Sequence, residues 1–177
     1  MKSLVDQLAN YAKYHRDKRN IATHFVGVPM IVVGSQALLA RIGIGPFNAA
    51  VGVTAAAGLY YRKLDPKYGS VMAGLLGGSC AVASVIAAMP LPIWAGTALG
   101  LFVGGWAIQL VGHKFEGQKP AFLDDLMGLL IGPLYIVAET AFALGMSPEI
   151  RDEIERRVGP THWGTAPEPA FAAAAAA

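Results

Sequence analysis

The sequence predicts an all-α integral membrane protein: about four transmembrane helices, an N-terminal amphipathic helix, and a broken, re-entrant C-terminal helical segment. Three observations carry that expectation. First, 54% of the 177 residues are hydrophobic and only 15% are charged, against about a quarter charged in a soluble domain. A chain this short cannot bury so much apolar surface within itself. Second, the apolar residues gather into runs of about 18–20, the length that crosses a hydrocarbon layer ~30 Å thick. Third, Lys and Arg alternate between the connections, abundant in some and nearly absent from others.

In chain order, the N-terminus is too polar for a cleaved signal peptide, lacking an apolar core and a small-residue cleavage site, and is expected to be retained. Residues 3–16 place Leu4, Leu8, Tyr11, Ala12 and His15 at helical spacing opposite Lys and Asp, which predicts an amphipathic helix lying on the membrane surface. The cluster Arg16–Arg19 follows. Span one is expected over Ile21–Leu39, closed by Arg41. Span two is expected over Ile44–Tyr61, closed by Arg62, Lys63, Asp65 and Lys67. Spans three (Ser70–Met89) and four (Ile93–Val111) carry no charge and end at Pro90/Pro92 and at His113/Lys114. Gly74, Gly77 and Gly78 suit close helix packing in lipid.

The Lys and Arg residues crowd the N-terminal flank and the loops after spans two and four, which puts those ends and the N-terminus in the cytoplasm. Phe122–Met146 is apolar but interrupted by Gly132-Pro133. A helix pair that dips in and returns keeps the charged Arg151–Arg157 stretch cytoplasmic, so a re-entrant segment is the expectation. Residues 1–160 form one helical membrane domain in this reading, and residues 161–177, rich in Pro and Ala, a disordered tail. The lone Cys80 lies in an apolar run. It excludes an intrachain disulfide and a thiolate cluster, and reads as a buried, inert thiol.

This topology delivers His15, His24 and His113 to one membrane face, with Asp65, Glu116 and Asn20 beside them. Ionisable groups at a membrane boundary are costly unless paired, hydrated or used. Neutral imidazole is a common ligand for iron and zinc, and a mixed histidine/carboxylate set suits non-haem iron(II). The competing reading is that each histidine hydrogen-bonds a lipid headgroup, and the spacing matches no metal box. His162 joins the set only if the C-terminal helix folds back. Glu139, if buried, needs a partner or a proton. The glycine pairs follow no strand and form no phosphate loop. The basic clusters are topology and lipid signals, so no nucleic-acid partner is expected.

Tyr14-His15-Arg16-Asp17-Lys18-Arg19-Asn20-Ile21-Ala22-Thr23-His24-Phe25-Val26-Gly27-Val28-Pro29 resembles the opening motif of a small membrane family, that of the fungal 2-hydroxy fatty acid dioxygenase of phytosphingosine breakdown. Tyr60–Asp65 and Gln109 with Gly112–Ala121 agree with the family too, as do Pro133–Glu139 and Ala143–Gly145. The likeness covers residues 3–157. It implies an iron(II)-dependent α-oxidation, in which molecular oxygen cleaves a 2-hydroxy fatty acid next to its carboxyl group and leaves a fatty acid one carbon shorter. The family's metal-holding histidines map onto His15, His24 and His113, whereas His162 lies outside the matching blocks. The resemblance implies an intracellular membrane, the endoplasmic reticulum, in fungal relatives, and a bacterial cytoplasmic membrane for this chain.

The site is then expected at the cytoplasmic interface. Arg16, Arg19, Asn20 and Lys114 are the candidates to bind the substrate's headgroup, with Asp65 and Glu116 supporting the ligands. Membrane lipid is the other expected partner, and homo-oligomerisation is left open. Three rivals stand beside this reading. A non-enzymatic lipid-binding or transport protein needs a polar path, which spans three and four lack. A bis-histidine haem protein needs its histidines nearer mid-membrane. A zinc-dependent lipid hydrolase draws on the same ligand chemistry.

Overall fold

The computed structural model describes residues 2–45 and 47–164. It is helical almost throughout: α1 (Leu4–Ala12), α2 (Lys18–Leu39), α3 (Ala49–Leu64), α4 (Pro66–Ala87), α5 (Leu91–Glu116), α6 (Gly128–Ala143) and α7 (Pro148–Val158). A two-strand hairpin, β1 (Gly43–Ile44) and β2 (Phe47–Asn48), separates α2 from α3.

Helix starts follow cap chemistry. Ser3 and Asp6 form a reciprocal capping box on α1, while Asp17, Asn48 and Asp65 accept backbone N–H groups at the heads of α2, α3 and α4. α5 stops at Gly117, whose φ of 69° closes the helix in the left-handed region that glycine favours.

Among the described residues, three helices, α2, α4 and α5, are long and apolar enough to cross a membrane. The second expected span needs correction at its start. Gly43 and Gly45 take positive φ and fold the chain into the hairpin, so α3 begins at Ala49, not Ile44. Its 16 residues reach ~24 Å at ~1.5 Å per residue, less than the ~30 Å hydrocarbon layer. Large apolar side chains on α3, α4 and α5, among them Leu59, Val85 and Val103, point away from the protein, as lipid-facing residues do.

α2 runs through the centre, packed chiefly on α5. The two backbones come together at Gly27 and Gly105. A Cβ at Gly27 would stand 2.8 Å from the Gly105 carbonyl oxygen, and one at Gly105 would stand 2.7 Å from that of Gly27. This is the small-residue packing that lets helices touch in lipid. At the hairpin end, Arg41 donates to the carbonyls of Ala87 and Met89 and lies over the Trp94 ring. Gln36, buried in α2, donates to Thr54 on α3 and to the Leu76 carbonyl on α4.

The main core sits at the opposite end, where α1, α6 and α7 close over the bundle with Leu8, Tyr61, Met72, Ile131, Leu134 and Ile154. The C-terminal segment is broken, but not at Gly132-Pro133: α6 runs through the proline and the chain turns by 114° between Ala143 and Pro148. Pro133 removes the donor to the Leu129 carbonyl four residues earlier, and on the next residue the Tyr61 hydroxyl donates to the Leu130 carbonyl. The nine-residue α1 reaches both sides of α6. Tyr14, just past its end, donates to Asp124 before α6, and Asp6 pairs with Arg157 after it. The segment thus leaves and returns to the same end of the molecule. Cys80 is buried and unpaired.

Candidate metal centre

α1 ends in a tight connection to α2, and that connection is built from the site's own residues. Glu116, at the last turn of α5, accepts the backbone N–H groups of Arg16 (2.8 Å) and Asp17 (2.9 Å) and the side-chain amide of Asn20 (3.0 Å). Asn20 also donates to the Tyr14 carbonyl at 3.1 Å. One carboxylate therefore ties the end of α1, the head of α2 and the end of α5 together.

The clamp brings His15, His24 and His113 into one cluster, 0%, 1% and 6% exposed. Their rings lie edge-on, with centroids 4.5, 5.0 and 5.2 Å apart, and a nitrogen from each falls within 4.8 Å of the others. His15 Nδ1 meets the Tyr11 carbonyl at 2.9 Å and His24 Nδ1 meets the Asn20 carbonyl at 2.9 Å. A carbonyl only accepts, so both Nδ1 atoms carry the proton. The two Nε2 atoms that face each other at 3.1 Å are then both lone pairs. That contact is repulsive unless a cation lies between them. Burial, and next the neighbouring His24, hold the His15 imidazole well below the usual histidine range, which disfavours a proton there.

A metal fits better. With metal–nitrogen bonds of about 2.1 Å, tetrahedral or facial ligands stand roughly 3.0–3.4 Å apart. His113 adds a third ring whose buried Nδ1 has no partner in the protein. The Tyr11 and Asn20 carbonyls hold their rings by the second nitrogen, as outer-shell acceptors do in metal sites.

The other residues singled out in the sequence occupy different places. Arg16 is buried and used by the protein itself. Its guanidinium donates to the Ala12, His15 and Gly159 carbonyls and to the Tyr135 hydroxyl (2.6 Å), and lies 3.8 Å from Glu139. Glu139 is thereby given its partner. Arg19 is paired with the Asp17 carboxylate (2.6 Å) and lies over Phe115. Lys114 is exposed, with no ion pair among the described residues. Asp65 caps α4 through Tyr68 N–H (2.8 Å) and lies outside the histidine group.

His162 returns to the site by its backbone: its N–H donates to the Arg16 carbonyl and its carbonyl accepts from Lys18. Its ring is not among the clustered nitrogens. Residues 161–164, expected in the tail, are thus laid against the first motif, and residues 165–177 lie outside the described residues.

Two tyrosines complete the surroundings without having been singled out. Tyr11 stacks on His15 at 4.1 Å, and the Tyr135 hydroxyl donates to the His15 carbonyl at 3.1 Å. Tyr11 is visible in the sequence as the position four residues before His15 on the buried stripe. Tyr135 carries no such signal, since only the return of α6 brings it there.

Beside His113 a cavity of about 60 Å³ opens between α2, α5 and α6, with Tyr11 and Gln109 on its polar side and Val28, Trp106 and Phe122 on its apolar side. Leu129, 48% exposed, stands at its rim. The site as a whole is a three-imidazole cluster next to a headgroup-sized cavity that gives onto the lipid-facing surface.

Comparison with known proteins points in one direction. A family profile described as 2-hydroxy-palmitic acid dioxygenase Mpo1-like matches residues 1–144. The 2-hydroxy-palmitic acid dioxygenase MPO1 of Saccharomyces cerevisiae is 30% identical over 157 residues, which span 86% of this chain and 87% of the yeast protein. No solved structure matches.

Proposed function

Because the chain belongs to the Mpo1-like 2-hydroxy-palmitic acid dioxygenase family, we propose that it is an iron(II)-dependent dioxygenase that shortens 2-hydroxy fatty acids by one carbon. The observation that carries the metal assignment is the pair of opposed Nε2 lone pairs of His15 and His24, 3.1 Å apart, with the His113 ring beside them; the dioxygenase description of the family is what favours iron over zinc. His15, His24 and His113 are the ligands in this reading. Iron(II) held by them would supply the redox chemistry that makes dioxygen reactive towards an organic acid.

The protein's own residues do the rest. The Tyr11 and Asn20 carbonyls fix both Nδ1 protons, so the Nε2 atoms stay aimed at the metal position. Glu116 holds the three backbone segments that carry the ligands. The cavity beside His113 takes the polar head of the acid, and its 60 Å³ is the space of only a few waters. The hydrocarbon tail therefore leaves past Leu129 into the bilayer. No charged side chain lines that cavity, and the guanidiniums of Arg16 and Arg19 are already engaged, so a metal held by the three histidines would supply the positive charge for the substrate's carboxylate. Lys114 stays outside, where it meets the headgroup region.

The net reaction balances with one dioxygen per acid. The bond between carbons 1 and 2 breaks, carbon 2 becomes the new carboxyl, and carbon 1 leaves as carbon dioxide with one water. The distribution of Lys and Arg supports a site on the cytoplasmic side of the membrane, which for a bacterial chain is the cytoplasmic membrane. The direct test is to supply the iron-loaded protein with 2-hydroxyhexadecanoic acid under oxygen. Pentadecanoic acid forming in step with oxygen uptake is expected. Oxygen uptake without a shortened acid, or no uptake, overturns the assignment.

A further inference from the structure

Gln109 is a buried amide that the fold leaves unused. It is 8% exposed and lines the cavity beside His113; its amide makes no side-chain hydrogen bond among the described residues and is open to the cavity, not sealed into the packing. It stands four residues before His113 on α5, which places both on one helix face about one turn apart. Its stem packs closely on α2, where a Cβ at Gly27 would meet Gln109 Cγ at 2.8 Å, so the amide is held towards the cavity. Trp106 continues the same wall and packs on Phe122, ring centroids 5.0 Å apart.

An unpartnered amide on a cavity wall suits a ligand that both donates and accepts. The cavity offers two other polar side chains, Tyr11 and His113. Both are tied to the metal cluster, Tyr11 by its stack on His15. Of the three, Gln109 is the one outside the histidine group and its stack, and its amide both donates and accepts. Resting on the function proposed above, we propose that Gln109 is the positioning residue that recognises the 2-hydroxyl of the acid. Its oxygen accepts from the hydroxyl while its NH2 donates to the adjacent carboxylate. A site built this way discriminates against an acid lacking the hydroxyl, because binding that acid leaves the amide oxygen unpaired. The apolar wall of Trp106 and Phe122 distinguishes little between chains once they leave the cavity, so selectivity falls on the headgroup and not on chain length.

The test uses detergent-purified, iron-loaded protein, wild type beside Gln109→Leu, with Gln109→Met as a second variant that keeps the side chain's length. Anaerobic titrations with 2-hydroxyhexadecanoic and hexadecanoic acid, read by tryptophan emission, give affinities without turnover. The KM for oxygen uptake and the inhibition by hexadecanoic acid are measured alongside. The variants are expected to bind the 2-hydroxy acid about tenfold more weakly, the worth of roughly one hydrogen bond. Hexadecanoic acid, which can keep only the carboxylate contact, should weaken less than the 2-hydroxy acid, and iron content should stay as in the wild type. Equal weakening for both acids, no change for either, or a wild type that binds the two acids alike overturns the assignment. Wild-type protein that prefers the 2-hydroxy acid but consumes no oxygen sinks the proposed reaction and leaves the role of Gln109 standing.

Discussion

Glu116→Gln removes a charge and changes no shape, and its consequence can be worked from three distances. The carboxylate accepts from Arg16 N–H at 2.8 Å on one oxygen and from Asp17 N–H and the Asn20 amide at 2.9 and 3.0 Å on the other. A glutamine oxygen can keep the second pair. Its NH2 then faces the Arg16 N–H, donor against donor. One unsatisfied backbone donor costs about 1–3 kcal/mol, and the two remaining bonds lose their charge assistance, roughly 0.5–1 kcal/mol each. The sum is about 3 kcal/mol, which for a chain of this size lowers Tm by roughly 6–12 °C. Because the same three donors hold the backbone between His15 and His24, iron content should fall with stability. The assay is thermal unfolding in detergent, followed in parallel by metal analysis of the folded fraction. A variant within about 2 °C of the wild type and with full iron would show that Glu116 is not the clamp.

Other perturbations follow from the same geometry. A Cβ at Gly112 would lie 2.0 Å from Thr23 Oγ1 and 2.5 Å from Asn20 Oδ1; Gly112→Ala should push His113 from its partners by about 1 Å and cut activity roughly 100-fold, and unchanged oxygen uptake would contradict it. Arg16→Gln leaves Glu139 without its cation and should destabilise the fold by about 3–5 kcal/mol, whereas a rise in KM alone would mean that Arg16 meets the substrate. Arg157, followed by Ser3, lowers the Asp6 carboxyl to about 2. A depressed acid contributes stability above its unfolded value of 3.8 and loses it as pH falls towards 2. Protection of the α7 amides, taken relative to the intrinsic exchange rate at each pH, should fall over that window, and protection that stays constant from pH 5 to about 2 would show that the Asp6–Arg157 pair does not hold α7 to α1.

Much of the architecture was legible because lipid imposes it. The helices of α2, α4 and α5 answer to uncharged runs bounded by charges, and alternation of basic loops brings His15, His24 and His113 to one end, where they cluster. What hydropathy does not register is backbone geometry. Ile44 is as apolar as its neighbours, but Gly43 and Gly45 turn the chain there and delay α3 to Ala49. Gly132-Pro133 reads as a break, yet α6 runs through the proline, which removes a single helical donor, the one to the Leu129 carbonyl.

The site shows the same divide. Basic residues near a headgroup look available for a carboxylate, but Arg16 spends its donors on four protein acceptors. Asp65 looks like ligand support and is a helix cap. The role of Arg16 depends on partners more than a hundred residues away, Tyr135 and Gly159, which composition and spacing do not express.

The central claim, that three histidines hold iron for oxygen chemistry, is tested most directly by metal analysis of detergent-purified protein loaded anaerobically with iron(II). Wild type, His24→Ala and His162→Ala are compared, each then given oxygen and 2-hydroxyhexadecanoic acid. About one iron per chain is expected in the wild type, lost together with oxygen uptake in His24→Ala and kept in His162→Ala, whose ring lies outside the cluster. Iron and oxygen uptake that persist in His24→Ala would contradict the account.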